Sequence, residues 1–242
     1  MGPEFVGMYC YGSLSLGDFA PGSSDIDFLV VTEHELPERM FHALDTMHAR
    51  IATSGLKWVD KLEGSYIPRA ALRRYDPANN RHPTIGADWP FSTRAHGAHW
   101  VIERSIVREY GVVVQGPPPR TLIDPVSSDD LTAAVRQALD DFWRMPRDGP
   151  EPEWLRTRAY QAFAILTMCR ALYTLAHGTV ASKPTAAAWA QQTLPPPCPA
   201  LIAKALVWRH DTRPDDMTAM LAFIRYTIEE AEKNPGGGRL PA

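Results

Sequence analysis

The chain has 242 residues, 45% of them hydrophobic and 22% charged, with 22 prolines and 16 glycines. That composition excludes a disordered or fibrous chain and leaves room for one large domain or two smaller ones. With 28 acids against 25 bases and a formal charge of -3, it has no overall basic field for gripping a nucleic-acid backbone, so no nucleic-acid partner is expected.

Phe5 to Tyr11 and Ile26 to Val31 are short β-prone runs separated by a Gly/Ser/Pro/Asp-rich stretch, the punctuation expected between strands. In 37–54, Met40, Leu44, Met47 and Ile51 recur at helical spacing behind Pro37, which predicts an amphipathic helix begun at a proline. Trp58 to Ile67 reads as a further strand. His96 to Tyr110 has helical periodicity and stops at Gly111, ahead of the apolar run Val112 to Val114.

From Ser128 the pattern changes. SSDDL places serines and aspartates at a helix start, and the segment is predicted helical to about Trp143. The turn-rich stretch MPRDGPEPEW follows. Helices are then expected over about 154–177, 182–193, 199–210 and 215–233, separated by Gly178, the prolines 195–197 and Pro214. The fold class is therefore α+β, a mixed strand-and-helix half followed by a helical bundle, with the boundary at 127/128.

The longest apolar run, 163–176, is interrupted by Arg170 and falls short of a membrane span. The N-terminus lacks a basic segment followed by a long apolar one, so a cytoplasmic protein is expected. Cys10, Cys169 and Cys198 are far apart and show neither disulfide-framework nor zinc-ligand spacing; they are expected to be ordinary core or helix residues.

The stretch that carries chemistry is YGSLSLGDFAPGSSDIDFLVV, Tyr11 to Val31. Residues two apart in a strand share a face, so Asp25 and Asp27 stand together while Ile26 turns to the opposite, buried face. Two such carboxylates repel unless a cation neutralises them, and hard oxygen ligands suit Mg²⁺ bridging to phosphates. Gly12 lets a phosphate approach the backbone, and Ser13 offers its amide and hydroxyl. A lone D-x-D most often caps a helix or faces water; the strand-GS, spacer, D-x-D-strand order is more specific.

This order resembles the nucleotidyltransferase superfamily. Together with LEGSYI around Glu63, VVVQGPPPRTLIDPVSSDDL and YTLAHGTVASKPTAAAWAQQTLP, it is similar to the aminoglycoside 3''-adenylyltransferases, the streptomycin/spectinomycin resistance enzymes. The resemblance implies a polymerase-β-like nucleotidyltransferase domain over 1–127, a helical domain over 128–242, and ATP and substrate bound between them.

By that resemblance, Asp25 and Asp27 hold Mg²⁺ on the ATP phosphates, Gly12, Ser13 and Ser24 contact the nucleotide, and Glu63 is the general base that also meets the acceptor. A sugar hydroxyl is a poor nucleophile at neutral pH, so the transfer needs such a base. Lys183 matches a lysine that the helical domain contributes to the phosphates. Trp208 falls where the family places a nucleotide-contacting aromatic, a tyrosine; stacking and core packing are both open to it. Trp89, Trp143 and Asp148 correspond to residues of the acceptor cleft, with about eight additional residues after this point in the present chain, so that Asp148, Glu151 and Glu153 also read as loop acids. His99 stands where family members carry an acid near the nucleotide, and neither it nor His96 is expected to be catalytic. The family has a helix before its first strand, whereas here Phe5 already begins that strand.

The expected activity is transfer of AMP from ATP, with Mg²⁺, to a hydroxyl of a cationic antibiotic by a monomer. The alternatives are transfer to a protein hydroxyl, as in antitoxin-like relatives, and a non-catalytic binding protein. Residues 1–64 hold ten acids and four bases, a local negative field that suits Mg²⁺ and a cationic acceptor.

Overall fold

Phe5–Cys10 (β1) and Ile26–Thr32 (β2) run antiparallel, and the Gly/Ser/Pro/Asp segment lies between them in the chain. The computed structural model describes residues 1–22, 24–87, 89–144 and 156–233. It divides into two compact units, Met1–Val126 and Ser127–Ala242.

In the first unit β2 is followed by helix α1, Glu38–Ala52, and strand β3, Leu62–Pro68. Parallel strands cannot be joined by a tight turn; α1 supplies the crossover that sets β3 parallel to β2. Trp58 to Lys61, expected as the start of this strand, instead forms a 3₁₀ turn over Val59–Lys61, which brings the chain round into β3. A short helix α2, Arg69–Arg73, leads to a hairpin of β4, Arg81–Gly86, and β5, Trp89–Ala95. The hairpin did not stand out in the sequence, because both strands contain a proline and polar residues that weaken a strand pattern. Helix α3, His99–Tyr110, and edge strand β6, Val112–Gln115, complete a mixed sheet in the order β5-β4-β3-β2-β1-β6.

The two faces of the sheet differ. Phe28, Val30 and Tyr66 pack with Leu44 of α1 and with Phe91 in one core cluster. Residues of the other parity in β2 and β3, among them Asp27, Glu63 and Ser65, take the opposite face. There Ser65 Oγ lies 3.3 Å from His96 Nε2, and His96 stacks on Trp100 of α3 with centroids 3.8 Å apart. Ile26 is half-buried rather than buried, because it lies at the strand's open end.

In the second unit α4, Ser128–Ala138, starts at a capping box made by Ser127 and Asp130, which satisfies two amides the helix would otherwise leave open. Its end continues through a π-helical turn, Leu139–Trp143, so the helical stretch expected to reach Trp143 does so with a change of winding. Helix α5, Arg158–His177, closes at Gly178 in the left-handed conformation, φ 64°. It is apolar on most sides, as a helix must be to sit inside a bundle, and packs against α4 and against α6, Lys183–Thr193, α7, Cys198–Trp208, and α8, Thr218–Lys233. The cysteines are free; Cys169 is buried on α5. Among the described residues no helix is long and apolar enough to cross a membrane.

Candidate active site

The site in the first unit is built from strand ends. Tyr11 N–H donates to the Asp27 carbonyl at 3.0 Å, which extends the β1–β2 ladder one residue past Cys10. Gly12 then turns the chain with φ +62°. A Cβ at that position would lie 2.0 Å from Asp27 Oδ2. Gly12 is therefore required twice, for its left-handed backbone and because the Asp27 carboxylate occupies the space of a side chain. The turn is held by Ser15 Oγ donating to Gly12 O at 3.1 Å, and by Asp18 N–H donating to Ser13 O at 3.1 Å. Ser13 is half-buried within it. At its far end Ser24 Oγ accepts from Ala20 N–H at 3.0 Å, and Ser24 N–H returns a bond to Ala20 O at 2.8 Å.

Parallel register pairs Asp27 directly with Glu63. Adjacent parallel strands lie roughly 4.8 Å apart, and aligned residues project to the same face, so the two carboxylates stand side by side. On the other face the Phe28 ring covers Gly64, where a Cβ would come within 2.3 Å of it. That close packing behind Glu63 fixes the register that pairs the acids. Asp25 precedes β2; its carboxylate is half-exposed, with Lys61 Nζ 3.8 Å away.

Two residues join this group that the sequence reading did not single out. Tyr11 is buried, which pushes its hydroxyl well above the ordinary phenol range, and the charges of Glu103, Asp27 and Glu63 push it the same way. Glu103 thus brings a further carboxylate toward the Tyr11 end of the cluster. Its position was legible: it stands three residues after buried Trp100 and four before buried Val107, on the stripe of α3 that faces the sheet. Beside it Arg104 is buried, donating to the carbonyls of Leu72 at 3.0 Å and Ala71 at 2.9 Å. His96 is a packing residue, shared by Ser65 and Thr84 and stacked on Trp100. His99 is the first residue of α3 and is half-buried.

Trp89 begins β5 and pairs with Gly86. Ile85, the residue before that glycine, pairs with Gly64, so the hairpin end reaches the level of Glu63. The indole folds over Gly86, whose absent Cβ would lie 2.5 Å from it, and Arg94 covers the ring at 4.7 Å.

The second unit holds its own group. Lys183 is the first residue of α6, behind the N-cap Ser182, whose hydroxyl accepts from Thr185 N–H at 3.3 Å. The Lys183 ammonium lies 4.9 Å from the centre of the Phe163 ring. Phe163 in turn neighbours Trp143 at 6.1 Å and Tyr160 at 5.5 Å. Trp208 ends α7, half-buried, with the Arg158 guanidinium 5.1 Å over its ring; Asp211 and Asp215 hold that guanidinium at 3.0 and 2.6 Å. Asp148, Glu151 and Glu153 lie outside the described residues.

The donor set fits a hard divalent cation in one manner. Among the described residues no group of three or more His, Cys, Asp or Glu side chains is placed to hold a metal, so Asp25 and Asp27 would supply only part of a coordination shell. Mg²⁺ is commonly bound that way, with phosphate and water oxygens completing the shell. The Asp27 carboxylate lies directly against the Gly12 turn backbone, in the space that a side chain would take.

The chain is similar to known proteins over most of its length. Residues 4–77 match the nucleotidyltransferase domain family, and residues 121–233 match the family described as the C-terminal domain of aminoglycoside adenylyltransferase. An aminoglycoside (3'') (9) adenylyltransferase of Klebsiella pneumoniae is 26% identical over 247 residues, spanning 97% of this chain and 90% of that protein. A spectinomycin 9-adenylyltransferase of Staphylococcus aureus is 25% identical over 207 residues, 80% of this chain and 74% of the relative. Among solved structures, that of a spectinomycin adenyltransferase from Enterococcus faecialis with ATP and spectinomycin has the same fold, with a TM-score of 0.72 at 16% identity over 96% of this chain and 93% of that one.

Proposed function

We propose, from the premise that this chain belongs to the aminoglycoside adenylyltransferase family, that it transfers AMP from ATP to a hydroxyl of an aminoglycoside or aminocyclitol antibiotic, releases pyrophosphate and so confers resistance. Streptomycin and spectinomycin are the acceptors to test first. The observation that carries the reading is the pairing of Asp27 with Glu63 beside the Gly12 turn, which supplies a carboxylate for the nucleotide side and another for the acceptor in adjacent positions.

In the reaction Glu63 takes the proton of the acceptor hydroxyl as its oxygen bonds to the α-phosphorus, and the bond from that phosphorus to the pyrophosphate oxygen breaks. Asp25 and Asp27 would hold Mg²⁺, which offsets negative charge on the phosphates and orients them. Gly12 and Ser13 present the turn backbone to the phosphates, with Ser24 closing the loop. Lys183 adds a cation to them, and Trp208 offers an aromatic face to the nucleotide. Trp89, Trp143 and Asp148 are assigned to the acceptor, whose ammonium groups and sugar faces suit acids and indoles. The need for ATP places the reaction in the cytoplasm, with the chain acting as a monomer.

Incubation of the protein with ATP, Mg²⁺ and either streptomycin or spectinomycin, followed by mass spectrometry, tests the reading. A mass gain of one AMP on either antibiotic supports it. Unmodified antibiotics across an aminoglycoside panel, with Mg-ATP binding intact, refute the acceptor class.

A further inference from the structure

Asp25 and Lys61 stand one residue ahead of Ile26 and Leu62, the first paired positions of the parallel strands β2 and β3. The register that sets Asp27 beside Glu63 therefore also brings a carboxylate and an ammonium together two residues earlier, and Lys61 Nζ lies 3.8 Å from Asp25 Oδ1. The backbone under this lysine is fixed: Lys61 N–H donates to the Trp58 carbonyl at 3.1 Å within the 3₁₀ turn. Trp58 in turn neighbours Phe19 at 5.8 Å between ring centres. Phe19 belongs to the connection between β1 and β2 that begins with Gly12 and Ser13, so the turn carrying Lys61 is packed against the segment that carries those two residues.

Only 25% of the Lys61 side chain is exposed, so its stem runs along protein and its head is turned to Asp25. At 3.8 Å the two charges attract without a hydrogen bond, and an open pair of this kind is individually weak. Lys61 is thus kept near Asp25 at little cost to leaving it. Asp25, Asp27 and Glu63 concentrate negative charge at these strand ends, which repels a polyphosphate unless cations offset it. Two oxygens on one Mg²⁺ stand at most about 4 Å apart, so a phosphate oxygen that shares the ion with Asp25 falls within the sweep of a lysine side chain beside it. The neighbouring Lys57 is placed differently, with its ammonium 4.7 Å over the Trp58 ring.

We propose that Lys61 is a further phosphate-binding residue of the nucleotide site: it balances Asp25 in the empty site and turns to the phosphate chain once Mg²⁺ is shared between that carboxylate and the nucleotide. This rests on the reading of Asp25 and Asp27 as the metal pair at the phosphates.

Titration calorimetry of the full chain with Mg-ATP, and separately with Mg-tripolyphosphate, provides the test. Lys61→Met is expected to weaken Mg-ATP about fivefold to tenfold, the size of a lost charge-assisted contact, and Mg-tripolyphosphate by the same factor, because the contact is to phosphate and not to the base. Lys61→Arg, which keeps the cation, should stay within about threefold of the unaltered chain, and Lys57→Met within about twofold. A lysine that merely balanced Asp25 would give the opposite sign, since removing it frees the carboxylate for the metal; Mg-ATP bound as tightly or more tightly by Lys61→Met would overturn the proposal. Weakened ATP with unchanged tripolyphosphate, an equal loss in Lys57→Met, or losses in both Lys61 variants with a large fall in melting temperature would each overturn it as well, and leave the transferase reading standing. Absence of Mg-ATP binding by the unaltered chain would sink both.

Discussion

The two units place their candidate functional groups by different means. In the first, Asp27 and Glu63 are neighbours because β2 and β3 are hydrogen-bonded in a fixed parallel register. In the second, Lys183 meets Phe163 and Arg158 meets Trp208 through long side chains reaching between elements. Backbone register is enforced by many bonds at once and by the Phe28 ring seated on Gly64, whereas a cation over a ring is individually a weak contact. The candidate groups on the sheet are thus held by the backbone, and those on the helices by side-chain contacts alone.

The largest effect should come from the sheet. Glu63→Gln keeps shape and register but removes the proposed proton acceptor, so kcat for AMP transfer should fall about 10²–10⁴-fold while calorimetry shows Mg-ATP binding within a few-fold of normal. Unchanged turnover would remove Glu63 as base and with it half of the contrast. Next comes Gly12→Ala, whose Cβ would meet Asp27 Oδ2 at 2.0 Å in a left-handed turn. It should destabilise by about 1–3 kcal/mol and lower transfer about tenfold or more, because a misplacement near 1 Å already costs that much. Full activity in this variant would show that the turn is not the phosphate cradle.

Acid offers a way to separate the units. Burial lowers His82 to about 4 and His96 to about 2; Arg104 pushes both the same way, and the His82 ring adds to the lowering of His96. Both lie beneath α3, where Ser65, Thr84, Trp100 and His99 complete the surroundings of His96. The unfolded chain, with histidines near 6.5, binds protons that the folded unit refuses, so stability falls as pH drops below 6.5. The His82 contribution levels off near pH 4 and that of His96 continues lower. About 1–3 kcal/mol is at stake for His82. Hydrogen exchange read by mass spectrometry at pH 5 against pH 7.5 should show protection lost first in β3, β4 and α3. Equal loss in α5 and α6 would dissolve the distinction.

The smallest effect is expected on the helical side. Arg158→Leu removes the cation over Trp208 and the tie to Asp211 and Asp215. Affinity for Mg-ATP should fall about twofold to fivefold with kcat nearly unchanged. A loss as large as that of Glu63→Gln would mean that the helical side carries the chemistry after all.

Much of this was legible along the chain, because local signals specify local structure. The strand, Gly12 turn and D-x-D strand followed from alternation and punctuation, and helix ends followed from the Ser127 capping box, Ser182 and Gly178. Local signals failed where tertiary packing overrode them, in the 3₁₀ turn at Val59–Lys61 and in the proline-bearing β4–β5 hairpin. Asp25 and Asp27 could be read as a pair because they are two residues apart on one strand.

No such rule reaches from residue 27 to residue 63. Sequence alone determined which side chains can do chemistry, which turn needs a glycine and where helices begin, since each depends on neighbours within a few residues. Only the tertiary structure decided that Glu63 lies beside Asp27, that Glu103 turns its charge toward Tyr11, and that Phe163 lies beneath Lys183. Those proximities come from strand register, from the seating of α3 on one sheet face and from helix packing, and each is set by the burial of residues far apart in the chain.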